Sequence, residues 1–538
     1  MVCINTIGSV VTLCDGFMTS VRRGTAAPSR GFGMLQADDW KPCMQDGTLL
    51  AALDLGSNSF RLEIGRYQSG HIERVEYLKE TVRLGADLDE NHTLSLVAME
   101  RGWACLARFA ERLRTFDRRQ VRAVATQTLR EARNRDDFLV RAQAILGFPI
   151  DVIAGHEEAR LIYQGVTHLL PHSDERRLVV DIGGRSTEVI LGQGYRPQRM
   201  ASYGLGSVAW SNRYFPGGRV SEGALRRAVI AAQAVLDEVL EVFVPGSWDA
   251  VYASSGTAGA LADMLGLAGF PPGLITREGI DWVAERLVRA GHVDAVRLEG
   301  LKDDRRPVLA GGLSVMLALF DLFGWTVVHR AQGALRQGAL VDLIDRASLE
   351  TDVRERTVRW LAQKFQTDAA QAERVRSVAV RLFEQVARPD PNNGRFSQKL
   401  AWAARLHEIG AHISHTDAHK HGAYILDHVD AAGFSLPELH RLSLLVLGQR
   451  GKLRKVETML EDELFVKQLL CLRLAVLLCH ARRDPDVATV QLKQTSTRQF
   501  RLTTGPGWAR QYPQSAWLLQ EEAEAWSRTP WRLVVDLG

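Results

Sequence analysis

Two aspartates open the same small-residue turn in this chain. In "LDLGSNSFRLEIG" (53–65) and "LVVDIGGRSTEVILG" (178–192), an apolar run ends in Asp, one residue and Gly; small polar residues and an alternating run follow. Aligned on the aspartates, Asp54 matches Asp181, Gly56 matches Gly183, Ser59 matches Ser186 and Arg61 matches Glu188. Apolar entry, glycine turn and alternating exit make a β-hairpin, and repetition in register marks a duplicated unit. Gly56, Gly183 and Gly184 let backbone approach an anion closely, and successive N–H groups in a tight turn form a phosphate nest. Ser57, Asn58, Ser59, Ser186 and Thr187 add side-chain donors. Asp181 precedes the second turn and Glu188 follows it, so the hairpin brings both carboxylates to one end. Two carboxylates beside bound phosphates are the usual way to hold Mg²⁺, which keeps several waters and borrows substrate oxygens. In the first copy Arg61 sets a cation on the opposite wall.

The elements that must position these turns follow from periodicity. After the first hairpin, "RVEYLKETVRLG" gives a strand and turn. Leu96, Met99, Trp103, Leu106, Ala110 and Leu113 then step by three and four as an amphipathic helix. A strand at 121–126, a helix at 136–146, a strand at 149–155 and a helix at 156–170 complete a βββαβαβα course. The second hairpin restarts it, with a long helix over 222–243, strands at 249–254 and 325–331, and a helix over 334–346. Such alternation predicts α/β domains with mixed sheets. From 351 to about 483 only helical periodicity is found, broken by a loop at "ARPDPNNGRF" (387–396), and alternation returns from about 487.

At 538 residues the chain should form several domains. Its 46% hydrophobic and 24% charged residues are those of a soluble globular protein, and the net charge of +4 names no partner. Apolar runs such as "LCLRLAVLLC" (470–479) are read as too short to span a bilayer. Six cysteines without CxxC spacing argue for a reducing compartment, hence the cytoplasm, and against a disulfide frame. Nothing calls for a nucleic acid or a membrane. Residues 1–48 are read as a disordered extension outside the fold, with Met44 a plausible true start.

"DLGSNSFRL", "ATQTLREARN", "IAGHEEARLIYQGV", "VVDIGGRSTEVILG" and "ASSGTAGA", in this order, resemble the exopolyphosphatase/guanosine pentaphosphate phosphatase family of the actin–hexokinase–heat-shock ATPase superfamily. The resemblance runs on through "QGALRQGAL" and "LHEIGAHISHTDAHKHGAYIL". It implies duplicated RNase H-like (actin-like ATPase) domains at 49–170 and 171–346, an all-α HD-like domain at 347–485 and a small α+β domain at 486–538. It implies Mg²⁺-dependent hydrolysis of the terminal phosphate of inorganic polyphosphate, with guanosine pentaphosphate as the alternative substrate, and a homodimer. An actin-like ATPase or a non-enzymatic phosphate or nucleotide sensor are the rival readings, because "SSGTAGA" (254–260) lies where superfamily members bind adenosine. Glu158 matches the family's general base, Asp181 and Glu188 its metal and phosphate carboxylates, and Arg130 a phosphate-binding arginine; Asp54 is a further polar anchor. Glu157 and Glu158 also suit a helix N-terminus electrostatically.

Two departures stand out. The family's second turn usually reads Gly-Gly-Gly-Ser; here Arg185 takes the third place and is expected to add a cation for a polyanion. In the helical domain Glu408 replaces the Asp of a metal-binding His-Asp pair, so His407 is expected to line a polyphosphate channel with Arg305 and Arg306. The histidines at 407, 412, 415, 419 and 421 form no closed ligand set in the sequence.

Overall fold

Leu50 to Leu55 are buried without a break, as a strand covered on both faces must be. In the computed structural model, which describes residues 44–348, 350–387 and 393–538, this run is the centre of a five-stranded sheet. Its strands are β1 (Leu49–Leu55), β2 (Ser59–Gln68), β3 (His71–Thr81), β4 (Val121–Ala125) and β5 (Ile150–Val152), in the order β3-β2-β1-β4-β5. β1 to β3 pair antiparallel through tight turns; β1, β4 and β5 pair parallel through helical crossovers.

The second sheet repeats this plan. β6 (Arg176–Ile182), β7 (Thr187–Gln193), β8 (Arg196–Tyr203), β9 (Ala250–Ser254), β10 (Leu274–Thr276) and β11 (Val327–Arg330) run β10-β11-β9-β6-β7-β8. Without the short edge strand β10, which its sequence did not announce, the order is that of the first sheet. These are duplicated RNase H-like, actin-like domains.

The helix Gly155–Thr167 crosses the helix Leu335–Asp345 at backbone distance. A Cβ on Gly165 would lie 2.1 Å from the Ala334 carbonyl oxygen, and one on Gly338 1.8 Å from that of Leu161. Only glycine permits this approach, and it fixes the helix that carries Glu158.

The helical segment includes Ala369–Val386, Ala418–His428, Leu436–Gly448 and Glu463–Leu478. It shares one apolar core with a C-terminal sheet of β12 (Gln491–Ser496), β13 (Gln499–Thr503) and β14 (Arg532–Asp536), in which Leu469, Leu502 and Trp526 all pack. The expected boundary at 485 therefore falls inside a common core.

Three expectations need correction or placement. The helix expected over 222–243 stops at Val235 and restarts at Val239, because the Leu236 N–H caps Ala232 and Gln233 while its side chain turns fully into the core. Leu96 is 62% exposed although Met99, Trp103 and Leu106 of its helix are buried. A stretch long and apolar enough to cross a membrane does exist, Arg306–Phe323; it packs as the core helix Leu309–Phe323 of the second α/β domain. The proposed extension, as far as residue 43, and the loop at 388–392 lie outside the described residues.

Candidate active site

Hairpin register decides which side chains meet. Across β1 and β2 Asp54 faces Arg61, and across β6 and β7 Asp181 faces Glu188. The first pair is neutralised: Arg61 lies 3.2 Å from Asp54 and Arg336 lies 3.6 Å from it. The second pair has two acids, buried to 6% and 1% exposure. Like charges directly opposite on a sheet repel. Ser254, the parallel neighbour of Asp181 on β9, donates to its Oδ2, and Ser202 donates to Glu188 Oε1 at 2.8 Å. No arginine or lysine bonds either acid among the described residues. Burial raises both carboxyls, that of Glu188 well above the usual range, with Glu158 and Asp181 adding to it.

Glu158 stands in the first turn of the helix Gly155–Thr167, 7% exposed, and lines the same cleft. Burial pushes its carboxyl up to about 7, against the pull of Arg130, whose Nη1 donates to Glu158 Oε2 at 3.1 Å. Arg130 also donates to the Ile153 carbonyl at 2.7 Å. It therefore braces Glu158 from behind and does not line the cleft.

The two glycine turns meet across the cleft. A Cβ on Gly184 would come within 3.0 Å of Ser57 Cβ. The Gly183 N–H closes its own turn on Ser186 O at 2.9 Å, while the N–H groups of Gly184 and Arg185 find no backbone partner among the described residues. Those are the donors an anion nest needs. Gly56, Ser57, Asn58, Gly183, Gly184 and Ser186 all line the cleft, a cavity of about 760 Å³, together with Asp54 and Asp181.

Arg185 is placed elsewhere. Its guanidinium donates to Glu131 Oε2 at 2.7 and 3.0 Å and to the Gly85 carbonyl at 3.1 Å, tying the second turn to the first α/β domain. Arg305 does line the cleft, its guanidinium lying flat on Gly256: a Cβ there would be 2.2 Å from Arg305 Cζ. Arg306 points away, to the Val296 carbonyl and to Asp303. His407 lines a separate cavity of about 850 Å³ in the helical segment, donating from Nδ1 to Ala404 O at 2.7 Å. There Glu408 pairs with Arg482, His419 meets Lys455, and His412 packs edge-on to Phe365.

Sequence reasoning did not single out Lys79, Lys302, Arg330, Arg336 or Ser255, which also line the cleft. Ser255 had a readable signal only in its neighbours Ser254 and Gly256. It sits at φ +72°, a strained position for a side chain, with its hydroxyl on the Ile182 carbonyl at 2.7 Å.

No group of three or more His, Cys, Asp or Glu is arranged as a metal cage among the described residues. Asp181, which lines the cleft, and its buried cross-strand partner Glu188, which does not, are nevertheless the donor set of a divalent cation whose remaining ligands are substrate oxygens and water: two buried carboxylates that no arginine or lysine bonds among the described residues, with Arg61 and Arg130 acting on them only at a distance. The residues fit such an ion.

A sequence model described as the Ppx/GppA phosphatase family matches residues 64–347, and one described as Ppx/GppA phosphatase, domain III, matches 353–523. Among solved structures, an exopolyphosphatase-like protein is 25% identical with a TM-score of 0.51, covering 56% of this chain and 100% of its own. An exopolyphosphatase from Cytophaga hutchinsonii is 21% identical with a TM-score of 0.51, covering 56% of this chain and 98% of its own. The Aquifex aeolicus PPX-GPPA enzyme is 25% identical with a TM-score of 0.47, covering 55% of this chain and 98% of its own.

Proposed function

The chain belongs to the Ppx/GppA phosphatase family, hydrolases acting on phosphoric anhydrides, and from that premise we propose that it is an Mg²⁺-dependent exopolyphosphatase. The observation that carries the reading is Glu158: a buried carboxyl poised at about 7 at the head of a helix, beside two glycine turns and near the buried acids Asp181 and Glu188. A base with a pKa near the working pH is what proton abstraction from water requires.

The terminal phosphoryl group of the polyphosphate chain lies between the turns Gly56–Ser59 and Gly183–Ser186. Water held by Glu158 attacks phosphorus in line as the bond to the bridging oxygen breaks, and its proton passes to Glu158. The shortened chain leaves with the electron pair of that bond. Asp181 and Glu188 hold the cation, which when bound neutralises charge on the phosphoryl oxygens. Arg130 keeps Glu158 aimed, and Lys302 and Arg305, the cleft-lining cations not hydrogen-bonded to a carboxylate among the described residues, make a cationic track for the rest of the chain. Arg305 on Gly256 occupies the stretch where an adenosine would be looked for, which supports a phosphate chain over the ATPase reading.

The test is phosphate release with Mg²⁺ from long-chain polyphosphate and from guanosine pentaphosphate in parallel, wild type beside Glu158→Gln. Release from polyphosphate that is lost in the variant supports the proposal. Preference for the guanosine substrate keeps the chemistry and overturns the named substrate.

A further inference from the structure

The glutamate next to Glu158 has a different life. Glu157 is 1% exposed and faces away from the cleft, into a buried charge network. Arg160 grips it with two donors, Nε to Oε2 at 2.7 Å and Nη2 to Oε1 at 2.8 Å, and Arg122 of β4 lies 3.5 Å from Oε1. Its Oε2 also accepts the backbone N–H of Gly433, from the helical segment, at 2.7 Å. The carbonyl of the same glycine accepts from Arg346 Nη2 at 2.5 Å, and Arg346 is paired at 2.6 Å with Asp342, which Arg160 also bonds. Gly433 is thus held at both backbone groups by residues of the α/β core. Its φ of +87° and the 2.8 Å from a Cβ to Arg354 Cγ leave room for glycine alone.

Helix dipole compensation does not need this. A carboxylate serving the dipole can sit in water; this one has been taken out of water, supplied with donors from its own helix and from Gly433, and set beside the Arg122 guanidinium of β4. We propose that Glu157 is a positioning residue that fastens the first turn of the Glu158 helix to Gly433, so that docking of the helical segment sets the aim of Glu158 in the cleft. The inference rests on Glu158 orienting the attacking water. It gives the helical segment a part in catalysis that needs no ligand of its own. The groups that face Glu158 are Arg130, Asp54, Asp181 and Glu188; a shifted helix turn changes its distance to Arg130 first.

The experiment uses the full chain with Mg²⁺ and long-chain polyphosphate. Glu157→Gln and Gly433→Ala are each expected to lower kcat on the order of tenfold or more, with KM little changed, as small misplacements of a reacting group do. The acidic limb of the kcat/KM profile should rise by about half a unit or more, because Glu158 drawn away from Arg130 loses the interaction that lowers it. Arg498→Ala, which breaks the Glu461 ion pair of the helical segment and lines neither cavity, controls for general loosening and should move neither readout. Unchanged kcat and an unmoved limb in a folded Glu157→Gln or Gly433→Ala overturn the proposal. So does a loss matched by Arg498→Ala. Full activity in Glu158→Gln overturns the underlying reading instead, and the two failures are told apart by that variant.

Discussion

Asp181 and Glu188 face each other as cross-strand partners, at the register where the first domain sets Asp54 against Arg61. One substitution in a duplicated hairpin turns a neutral pair into a doubly acidic one. Both acids are buried and hydrogen-bonded by serine hydroxyls, Ser254 on Asp181 and Ser202 on Glu188, while Arg61 and Arg130 act on them only at a distance. A fold tolerates such repulsion where something else neutralises it, and the copy that kept its arginine has no need of a metal.

The first prediction follows from that repulsion. Both carboxyls are raised in the folded protein, so the folded state holds protons more tightly than the unfolded one. Their contribution to stability is present below the ordinary carboxylate range and is lost as pH rises through the raised values. At pH 8 without metal, Glu188→Gln should therefore stabilise the protein, by about 1–2 kcal/mol. Mg²⁺ should raise the Tm of the wild type at pH 8 and leave that of the variant nearly unmoved. Thermal melts with and without the ion check both; a variant that gains as much from Mg²⁺ as the wild type refutes the assignment.

For Glu158, with its carboxyl at about 7, the ionised form is the working base. The kcat/KM profile should fall tenfold per pH unit below that value and level off above it. Glu158→Gln should cost about 10²–10⁴ in kcat, the range of a general base, and abolish the acidic limb. Steady-state rates between pH 5.5 and 9 decide this. A limb that survives in the variant belongs to another group.

Arg185 tests how far a departure from the usual turn can be read. Its guanidinium is spent on Glu131 and the Gly85 carbonyl, a charge-assisted bridge between the two α/β domains. Arg185→Gly should lower stability by about 1–2 kcal/mol through the lost bridge, with KM for polyphosphate within roughly threefold of wild type. Denaturant unfolding and initial rates give the two numbers. A large rise in KM with stability intact would return Arg185 to the substrate.

That bridge also marks where sequence reading stopped. The two hairpins were legible because their signal is local: an apolar run, a glycine, an alternating run, and a register that hairpin geometry then fixes. The pairings Asp54–Arg61 and Asp181–Glu188 follow from that register alone. Arg185 meets Glu131 across 54 residues, Arg336 meets Glu63 across 273, and Glu157 meets Gly433 across 276. No periodicity encodes such contacts; they come from the packing of separate domains. Arg306 illustrates the same limit at close range, since its neighbour Arg305 turns to the cleft while Arg306 spends its donors on Val296 and Asp303. The break at Leu236 was hidden for another reason: an apolar residue in an apolar helix gives no sign that it caps the turn before it.

The cationic track yields the last prediction. Arg305 lies on Gly256 and Lys302 is exposed, both lining the cleft and, among the described residues, neither hydrogen-bonded to Glu158, Asp181 or Glu188. Their charges can hold a polyanion before and after each cleavage without entering the transition state. Removing uniform binding raises KM and spares kcat. The double variant Lys302→Ala/Arg305→Ala should therefore raise KM for long-chain polyphosphate by about tenfold or more at low salt, with kcat within about twofold. Because the exposed Lys302 charge is screened, the gap should narrow as ionic strength climbs towards 0.15 M and beyond, where the Debye length is about 8 Å or less. Initial rates across a salt series measure it. Equal losses of kcat and kcat/KM, independent of salt, would place these two side chains at the reacting phosphoryl group instead of along the chain behind it.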